Sequence, residues 1–470
     1  MLPTSDKPKP NRRQTIRSML AGSVLLPAAV TEMLRGGHVA ASELSPLRPR
    51  KPHFEGKAKS LILLYMSGGV SHIETFDPKP QLAVHAGEPA PQAAGPANHN
   101  VKHLLGPNWS FRPGGTCGTP VSDLFPHLRE CMDDICLVRS MHSDHISHME
   151  ATLGIHTGSF SVKRPSLGAW VSYGLGTINQ NLPSFVVLAP KLPYGGDQCW
   201  TADFLPAHHQ GTRIVAGAEP IANLTPQDPT SIQQRELVFL QQMNRQHLSS
   251  RSTDSTLVAR IQSFETAFGM QQEMPEIVDL SRETAETLAL YDLQPGQTTG
   301  FGWQCLMARR MVERGVRFIE LIDSGSDVPN NWDSHADIRN QHPPRAKDVD
   351  QPIAGLLKDL KRRGLLDETL VVWTTEFGRT PHDDGPQGRS HHPRAFSSWL
   401  AGAGVKGGMI YGQTDDLGYT VVDQEVHVHD FHATILHLLG FDHERLIYRH
   451  AGRDFRLTDV FGNVVYDLLA

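Results

Sequence analysis

The sequence is poor in the features that would place it in several large classes. It has five cysteines in 470 residues (Cys117, Cys131, Cys136, Cys199 and Cys305) and no C-x-x-C spacing. A zinc ribbon and a disulfide framework are therefore both excluded. One close pair, Cys131 and Cys136, has the spacing to oxidise in an exported protein, and the odd count leaves a thiol unpaired. Positive charge is not in excess: 44 Lys and Arg stand against 50 Asp and Glu, a formal net charge of -6, which argues against a nucleic-acid partner. No apolar run after the N-terminus is long enough to cross a bilayer.

Histidine is abundant. There are 25, clustered with acids in several loops, and clustering of this kind raises the case for metal ligation over solvated surface residues. Apolar residues make up 39%, enough to bury the core of one large α/β domain or two smaller ones.

The N-terminus reads as an export leader. Asn11-Arg12-Arg13-Gln14-Thr15-Ile16-Arg17 precedes a short apolar stretch over 19–30, and small residues follow near Val39-Ala40-Ala41. The paired arginines point to the twin-arginine route, although Thr15 stands where an aromatic or apolar residue is usual, so the ordinary secretory route stays open. We assign residues 1–45 to this signal and linker, and 46–470 to a single domain that is exported to the periplasm or beyond.

Along that domain, short apolar runs alternate with helical patterns. Strands are expected at 61–66, 135–138, 184–189, 316–322 and 370–375, with further short ones at 396–401 and 421–422. Amphipathic helices are expected at 147–155, 167–175, 303–314 and 430–440. A helix starting at Asp350 as its cap should end at Gly364. Residues 79–120, rich in Pro, Gly, Ala and His, read as irregular, and 226–290 as a helical insertion. Strands alternating with helices imply an α/β three-layer sandwich around a mostly parallel sheet.

Ligands bind beyond the carboxyl ends of strands in such sheets, and several candidate side chains fall there. Ser67-Gly68-Gly69 follows the first strand, with glycines that let a backbone approach a ligand. His142, His145 and His148 follow the second, and His148 falls in the first turn of a helix, where anions are favoured. Asp333 and His335 sit two apart on a loop after the fourth. Glu376 ends the fifth, and Arg389-Ser390-His391-His392 follows thirteen residues later. A carboxylate and imidazoles on neighbouring loops can hold a divalent metal; the plainer reading is a capped strand end beside a solvated loop.

These motifs also resemble a known superfamily. Residues 350–378 resemble the long helix and following strand of sulfatases and other alkaline-phosphatase-like enzymes. The link Gly364-Leu365-Leu366-Asp367 is similar, and Thr375-Glu376-Phe377-Gly378 stands where those proteins carry Ser-Asp-His-Gly. Residues 429–440 resemble their near-C-terminal helix, and the segment ending at Thr157-Gly158 resembles the helix bearing their nucleophile. More closely, from about residue 50 the chain resembles an exported, sulfatase-like bacterial family filed as domain of unknown function fifteen-oh-one. Its motifs are Met66-Ser67-Gly68-Gly69, His156-Thr157-Gly158, the run from Ala308 to Phe318, Trp332-Asp333-Ser334-His335 and Thr375-Glu376-Phe377-Gly378-Arg379-Thr380-Pro381.

The resemblance implies an alkaline-phosphatase-like sandwich and a divalent metal, with Zn, Ca or Mn as the candidates. It also shows departures. The first-strand Asp ligand is replaced by Ser67, Gly68 and Gly69, the nucleophile position falls on His148, and Phe377 replaces a ligand histidine. One metal site thereby loses its first-strand Asp and its His. The other keeps Asp333, His335 and His391 or His392, with Glu376 able to serve either. With no acceptor Ser or Thr evident, unless Ser143 or Ser147 moves in, hydrolysis by metal-activated water is the mechanism implied. Glu376 or His148 is the candidate base, His145 the leaving-group acid, Arg379 or Arg389 the anion holder, and Ser67, Gly68, Gly69 and Arg389 the substrate-binding set. The expected activity is an exported, metal-dependent hydrolysis of phosphate or sulfate esters of small molecules or glycans. The alternative is a degenerate relative that binds such glycans without cleaving them; a phosphomutase fits less well.

Overall fold

The computed structural model describes residues 45–91, 101–224, 228–249, 255–328 and 330–470. The leader expected over 1–45 lies outside them, apart from Ser45. Among the described residues no helix is long and apolar enough to cross a membrane.

The central sheet is assembled from the short apolar runs. Its strands are β1 (Ser60–Tyr65), β2 (Ile135–His142), β3 (Phe185–Leu188), β4 (Thr212–Ile214), β5 (Phe318–Ile322) and β6 (Thr369–Thr374). A separate antiparallel hairpin joins β7 (Gly378–Asp383) to β8 (Arg389–His392), after which β9 (Phe396–Ala401), β10 (Met409–Tyr411) and β11 (Val426–His427) return to the sheet. The sheet order is β10-β2-β9-β6-β1-β5-β3-β4, with β11 also on β2. All pairings are parallel except those of β9, which runs antiparallel to both β2 and β6.

Why these runs lack a polar face is clear from their surroundings. Successive side chains of a strand point to opposite faces, and here both faces are covered. Ile62, Leu64, Val371 and Trp373 pack with α5 (Phe301–Glu313) and α6 (Ile338–Arg362). Leu61, Leu63, Leu370 and Val372 pack with α1 (His148–Thr157), α2 (Leu167–Leu175) and α7 (Val428–Leu438). The fold is thus the expected α/β three-layer sandwich around a mostly parallel sheet. The two cores also separate Cys131 from Cys136: they lie on opposite faces, and both are buried free thiols.

Two segments differ from expectation. Asp350 does not cap a helix. Helix α6 already begins at Ile338 and carries Pro343, Pro344 and Pro352 within it, while the Asp350 carboxylate accepts the backbone N–H groups of His127 and Leu128. The paired prolines hide the first three turns from a pattern reading. The irregular 79–120 segment holds a short helix, Pro80–Val84, and a hairpin of Phe111–Gly114 with Thr119–Ser122. Helices α3 (Thr230–Ser249) and α4 (Ser255–Val278) fall inside the stretch expected to be helical.

Candidate metal centre

Four side chains from three separate segments converge beyond the carboxyl end of the sheet. His148, Asp333, His335 and His391 each offer a ligand atom, and these atoms all lie within 4.8 Å of one another. His148 opens α1, Asp333 and His335 lie on the loop between β5 and α6, and His391 is on β8. Asp333 is the hub. Its Oδ1 is 3.0 Å from His335 Nε2 and 3.4 Å from His391 Nε2, and its Oδ2 is 3.2 Å from His148 Nε2.

The far nitrogen of each ring decides how these imidazoles are protonated. His148 Nδ1 is 2.7 Å from Glu376 Oε1, His335 Nδ1 is 2.7 Å from Asp384 Oδ2, and His391 Nδ1 is 2.8 Å from the Ile146 carbonyl. All three partners only accept, so every Nδ1 donates and every neutral ring turns a bare Nε2 toward Asp333. His335 Nε2 and His391 Nε2 stand 2.8 Å apart, which two bare lone pairs do not tolerate without a proton or a cation between them. Without an ion the proton belongs on His335, whose basicity is raised by Asp333, against burial, and by Asp384; burial lowers that of His391. His148 Nε2 is buried and makes no hydrogen bond of acceptable geometry. A tetrahedral Zn site with Zn–N of about 2.0–2.1 Å spaces its ligand atoms by roughly 3.3 Å, and these four donors fit such an ion. The cluster is enclosed on one side and open on the other: His148 and Asp333 side chains are 8% and 9% exposed, whereas His335 is 42% exposed.

Glu376 is not one of the four. Its Oε1 accepts from His148 Nδ1 and from the Gly68 N–H at 2.8 Å, and its Oε2 accepts from Tyr65 Oη at 2.9 Å and Thr375 Oγ1 at 3.1 Å. Burial opposes its charge, but the His148 contact outweighs this and holds the carboxyl below its ordinary range. It holds the His148 ring from behind the cluster. Helix α1 continues this polar seam at helical spacing. Thr152 Oγ1 meets Tyr65 Oη at 2.9 Å, and His156 Nε2 meets Glu320 Oε1 of β5 at 2.6 Å. Positions 148, 152 and 156 share one face, so a helix buried almost all round is fixed in register on the sheet by polar contacts.

His392 turns away from the cluster. In the β7–β8 hairpin His391 pairs with Arg379 and His392 with Gly378, so the two histidines point to opposite faces. His392 Nε2 reaches the Tyr419 carbonyl at 2.6 Å instead, and burial lowers its pKa to about 3. Arg389 is also withdrawn, by a bulge between Arg389 and His391. Its side chain is 0% exposed, paired with Glu74 at 2.7 Å, and it donates to the carbonyls of Thr380, Pro381, Leu105 and Gly106. No donor is left for a substrate anion. Arg379, equally buried, is committed to Asp333 and to the carbonyls of Gly68, Gly69 and Arg389.

The Ser67-Gly68-Gly69 turn faces protein. The Ser67 hydroxyl donates to the Gly325 carbonyl. Gly68 has φ +116°, and a Cβ there would lie 2.6 Å from Asp333 N, so the turn is the surface on which the ligand loop rests. His145 is on the loop before α1, its Nδ1 accepting from Ser147 N at 3.1 Å and its ring beside Glu150. The hydroxyl of Ser147 is tied to Glu150.

Sequence reasoning missed Tyr65, Tyr194, Asn331 and Asp384. Asp384 lies in an Asp-Asp-Gly turn and Tyr194 in a Pro-Tyr-Gly-Gly loop, where composition signals only a bend.

One family's sequence model matches residues 58–469. The chain belongs to the family described as "Protein of unknown function (DUF1501)". The match takes in all four cluster residues. No curated protein matches the chain in sequence. Among solved structures, the chain is similar to the sulfatase PsFucS1 from Pseudoalteromonas sp. at 13% identity and TM-score 0.35, covering 90% of this chain and 73% of that one. It is also similar to the lipoteichoic acid synthase LtaP from Listeria monocytogenes at 8% identity and TM-score 0.37, covering 92% and 80%. The alkaline phosphatase from the Antarctic bacterium TAB5 matches at 10% identity and TM-score 0.31, covering 75% and 92%.

Proposed function

We propose that His148, Asp333, His335 and His391 hold one divalent metal and that the protein is an exported hydrolase of phosphate or sulfate esters. The observation that carries the metal reading is the proton count: three rings whose Nδ1 atoms all donate outward turn their Nε2 atoms onto one carboxylate. Three imidazoles and one carboxylate suit zinc and its transition-metal neighbours, manganese less well, and calcium, which takes oxygen ligands, least. An ion held by these residues would supply Lewis acidity toward an ester oxygen, and toward a water only where it takes one beyond the four side chains. The protein's part is positional. Glu376 and Asp384 fix two of the rings, Arg379 and Tyr194 fix Asp333, and the exposed edge at His335 leaves the side from which substrate enters. The paired arginines at Arg12 and Arg13 support export of the folded, loaded chain.

Metal analysis of the purified protein, followed by a panel of aryl and glycan sulfate and phosphate esters, tests this. About one transition metal per chain is expected, with turnover on at least one ester class and loss of both in Asp333→Ala. Protein purified from zinc- and manganese-supplemented cells that neither carries nor takes up a metal overturns it.

A second reading, a sulfated- or phosphorylated-glycan binder without turnover, is favoured by a different observation. His148 stands at the expected nucleophile position, the Ser147 hydroxyl is occupied, and both candidate anion-holding arginines are buried and paired with protein carboxylates and carbonyls. Metal with no turnover on any ester, together with retention on an immobilised sulfated glycan, supports it over hydrolysis.

A further inference from the structure

Tyr194 lies on the loop after β3, in a stretch that carries no motif, yet it touches two of the four cluster residues. Its ring stacks on that of His148 with centroids 4.1 Å apart and planes 8° from parallel. Its hydroxyl donates to Asp333 Oδ2 at 3.1 Å. The direction of that bond is fixed by Asn331, a fully buried residue whose Nδ2 donates to the phenol oxygen at 3.0 Å and to the Gly325 carbonyl at 3.2 Å. Because the phenol oxygen already accepts from Asn331, its own proton is directed at Asp333. Asn331 Oδ1 in turn accepts the Asp333 N–H at 3.1 Å, so the same amide anchors the backbone and, through Tyr194, the carboxylate.

We infer that Tyr194 is a positioning residue that sets how the cluster coordinates its metal. It locks the ring plane of His148, on α1, to the carboxylate rotation of Asp333, on a different loop. Arg379 holds the other oxygen, Oδ1, at 2.7 Å, so the carboxylate is pinned at both ends and presents a fixed edge to the three imidazoles. Outer partners of metal ligands of this kind change metal affinity by about 10–100-fold when removed. The inference rests on the metal reading above and adds a residue that neither composition nor spacing indicated.

Tyr194→Phe tests it, because the ring stack stays and only the hydroxyl goes. Metal affinity is measured by chelator competition on the full chain with Zn(II) and Co(II), with the visible d–d spectrum of the Co(II) form recorded and the metal-free protein melted alongside. The expected result is at least 10-fold weaker binding, a shifted Co(II) spectrum and an unchanged metal-free melting temperature. Affinity within twofold of wild type and the same Co(II) spectrum overturn the inference while leaving the metal reading standing. Wild-type protein that binds neither ion overturns the metal reading, and this inference with it. Tyr194→Leu, which also removes the ring, should weaken binding further; an affinity equal to that of Tyr194→Phe shows that the stack on His148 has no positioning role and overturns that half.

Discussion

Replacing Glu376 by glutamine probes the site at its most buried point. The carboxylate accepts four hydrogen bonds, from His148 Nδ1, the Gly68 N–H, Tyr65 Oη and Thr375 Oγ1. An amide offers one accepting oxygen and a donating NH2, so two of these partners would ordinarily be left facing a donor, at about 1–3 kcal/mol for each buried group left unpaired. Here two of the four are hydroxyls with somewhere else to turn. Tyr65 Oη lies 2.9 Å from Thr152 Oγ1, and Thr375 Oγ1 lies 2.8 Å from the Met66 carbonyl. Both can reverse their protons and accept from the new NH2, while the amide oxygen keeps His148 and Gly68. The expected cost to metal-free stability is therefore small, under about 1 kcal/mol. The cost to metal binding is larger, because a neutral amide supports the His148 ring less than a carboxylate does. About 10-fold weaker affinity, or roughly 1.4 kcal/mol, is expected. Glu376→Ala has no such escape: Gly68 N–H and His148 Nδ1 lose their acceptor, and stability should fall by about 2–5 kcal/mol. Denaturant melts of the metal-free proteins and a metal competition titration measure the two effects separately. A glutamine variant that binds metal as tightly as wild type, or that destabilises the chain as much as alanine does, refutes the reasoning.

Three further outcomes follow from buried groups elsewhere. His72, His432 and His209 have pKa values lowered by burial to about 3, 3 and 2. Each is neutral when folded and takes up a proton on unfolding below its ordinary value near 6.5, so its contribution is present above that pH. It is lost as pH falls toward the folded values, at up to about 1.4 kcal/mol per pH unit each. Denaturant melts of metal-free protein should therefore show stability falling as pH drops from about 6.5 toward 4; stability that does not change across that window contradicts the reasoning. Arg389→Met strips Glu74 of its partner inside the protein and should cost about 3–5 kcal/mol in a denaturant melt, against the near-neutral change expected of a surface anion-binding arginine. Gly68→Ala adds a Cβ 2.6 Å from Asp333 N at φ +116°. It should cost more than about 1 kcal/mol and weaken metal binding more than it lowers stability. Unchanged metal affinity would show that the turn does not support the ligand loop.

What the sequence made legible, and what it concealed, divides along one physical line. The layers were legible because β1 and β6 are apolar on both faces and can only be central strands, while α7 and the C-terminal half of α6 carry apolar residues at helical spacing. The positions of Asp333, His335 and Glu376 followed, since strand ends and the loops beside them are where a parallel sheet exposes polar groups. Roles did not follow. Whether Glu376 ligates or supports depends on Tyr65, Gly68 and His148 reaching it first, three residues far away in the chain. His391 and His392 are adjacent, and only the strand alternation imposed by β7 sends one to the cluster and the other to Tyr419. Arg379 and Arg389 read as anion holders because arginine beside a metal motif often serves that purpose. In this chain both are spent on a buried carboxylate each and on backbone carbonyls of the β7–β8 hairpin and the loops packed against it.

The same division bears on the choice between hydrolase and binder. A site whose two arginines are committed to protein groups cannot draw in an anionic ester by free arginine contacts, so on the metal reading the attraction comes from the ion itself. If the cluster holds its metal as proposed, the positive charge a substrate meets is the metal's, diminished by Asp333. Ester affinity should accordingly disappear with the metal, in a hydrolase and in a binder alike, and the rate of turnover, not the strength of binding, is what separates them. This makes chelation the more informative perturbation. Metal-free protein that still binds a sulfated glycan as tightly as the loaded form would place the glycan somewhere other than beside Asp333, whatever the cluster does with its ion.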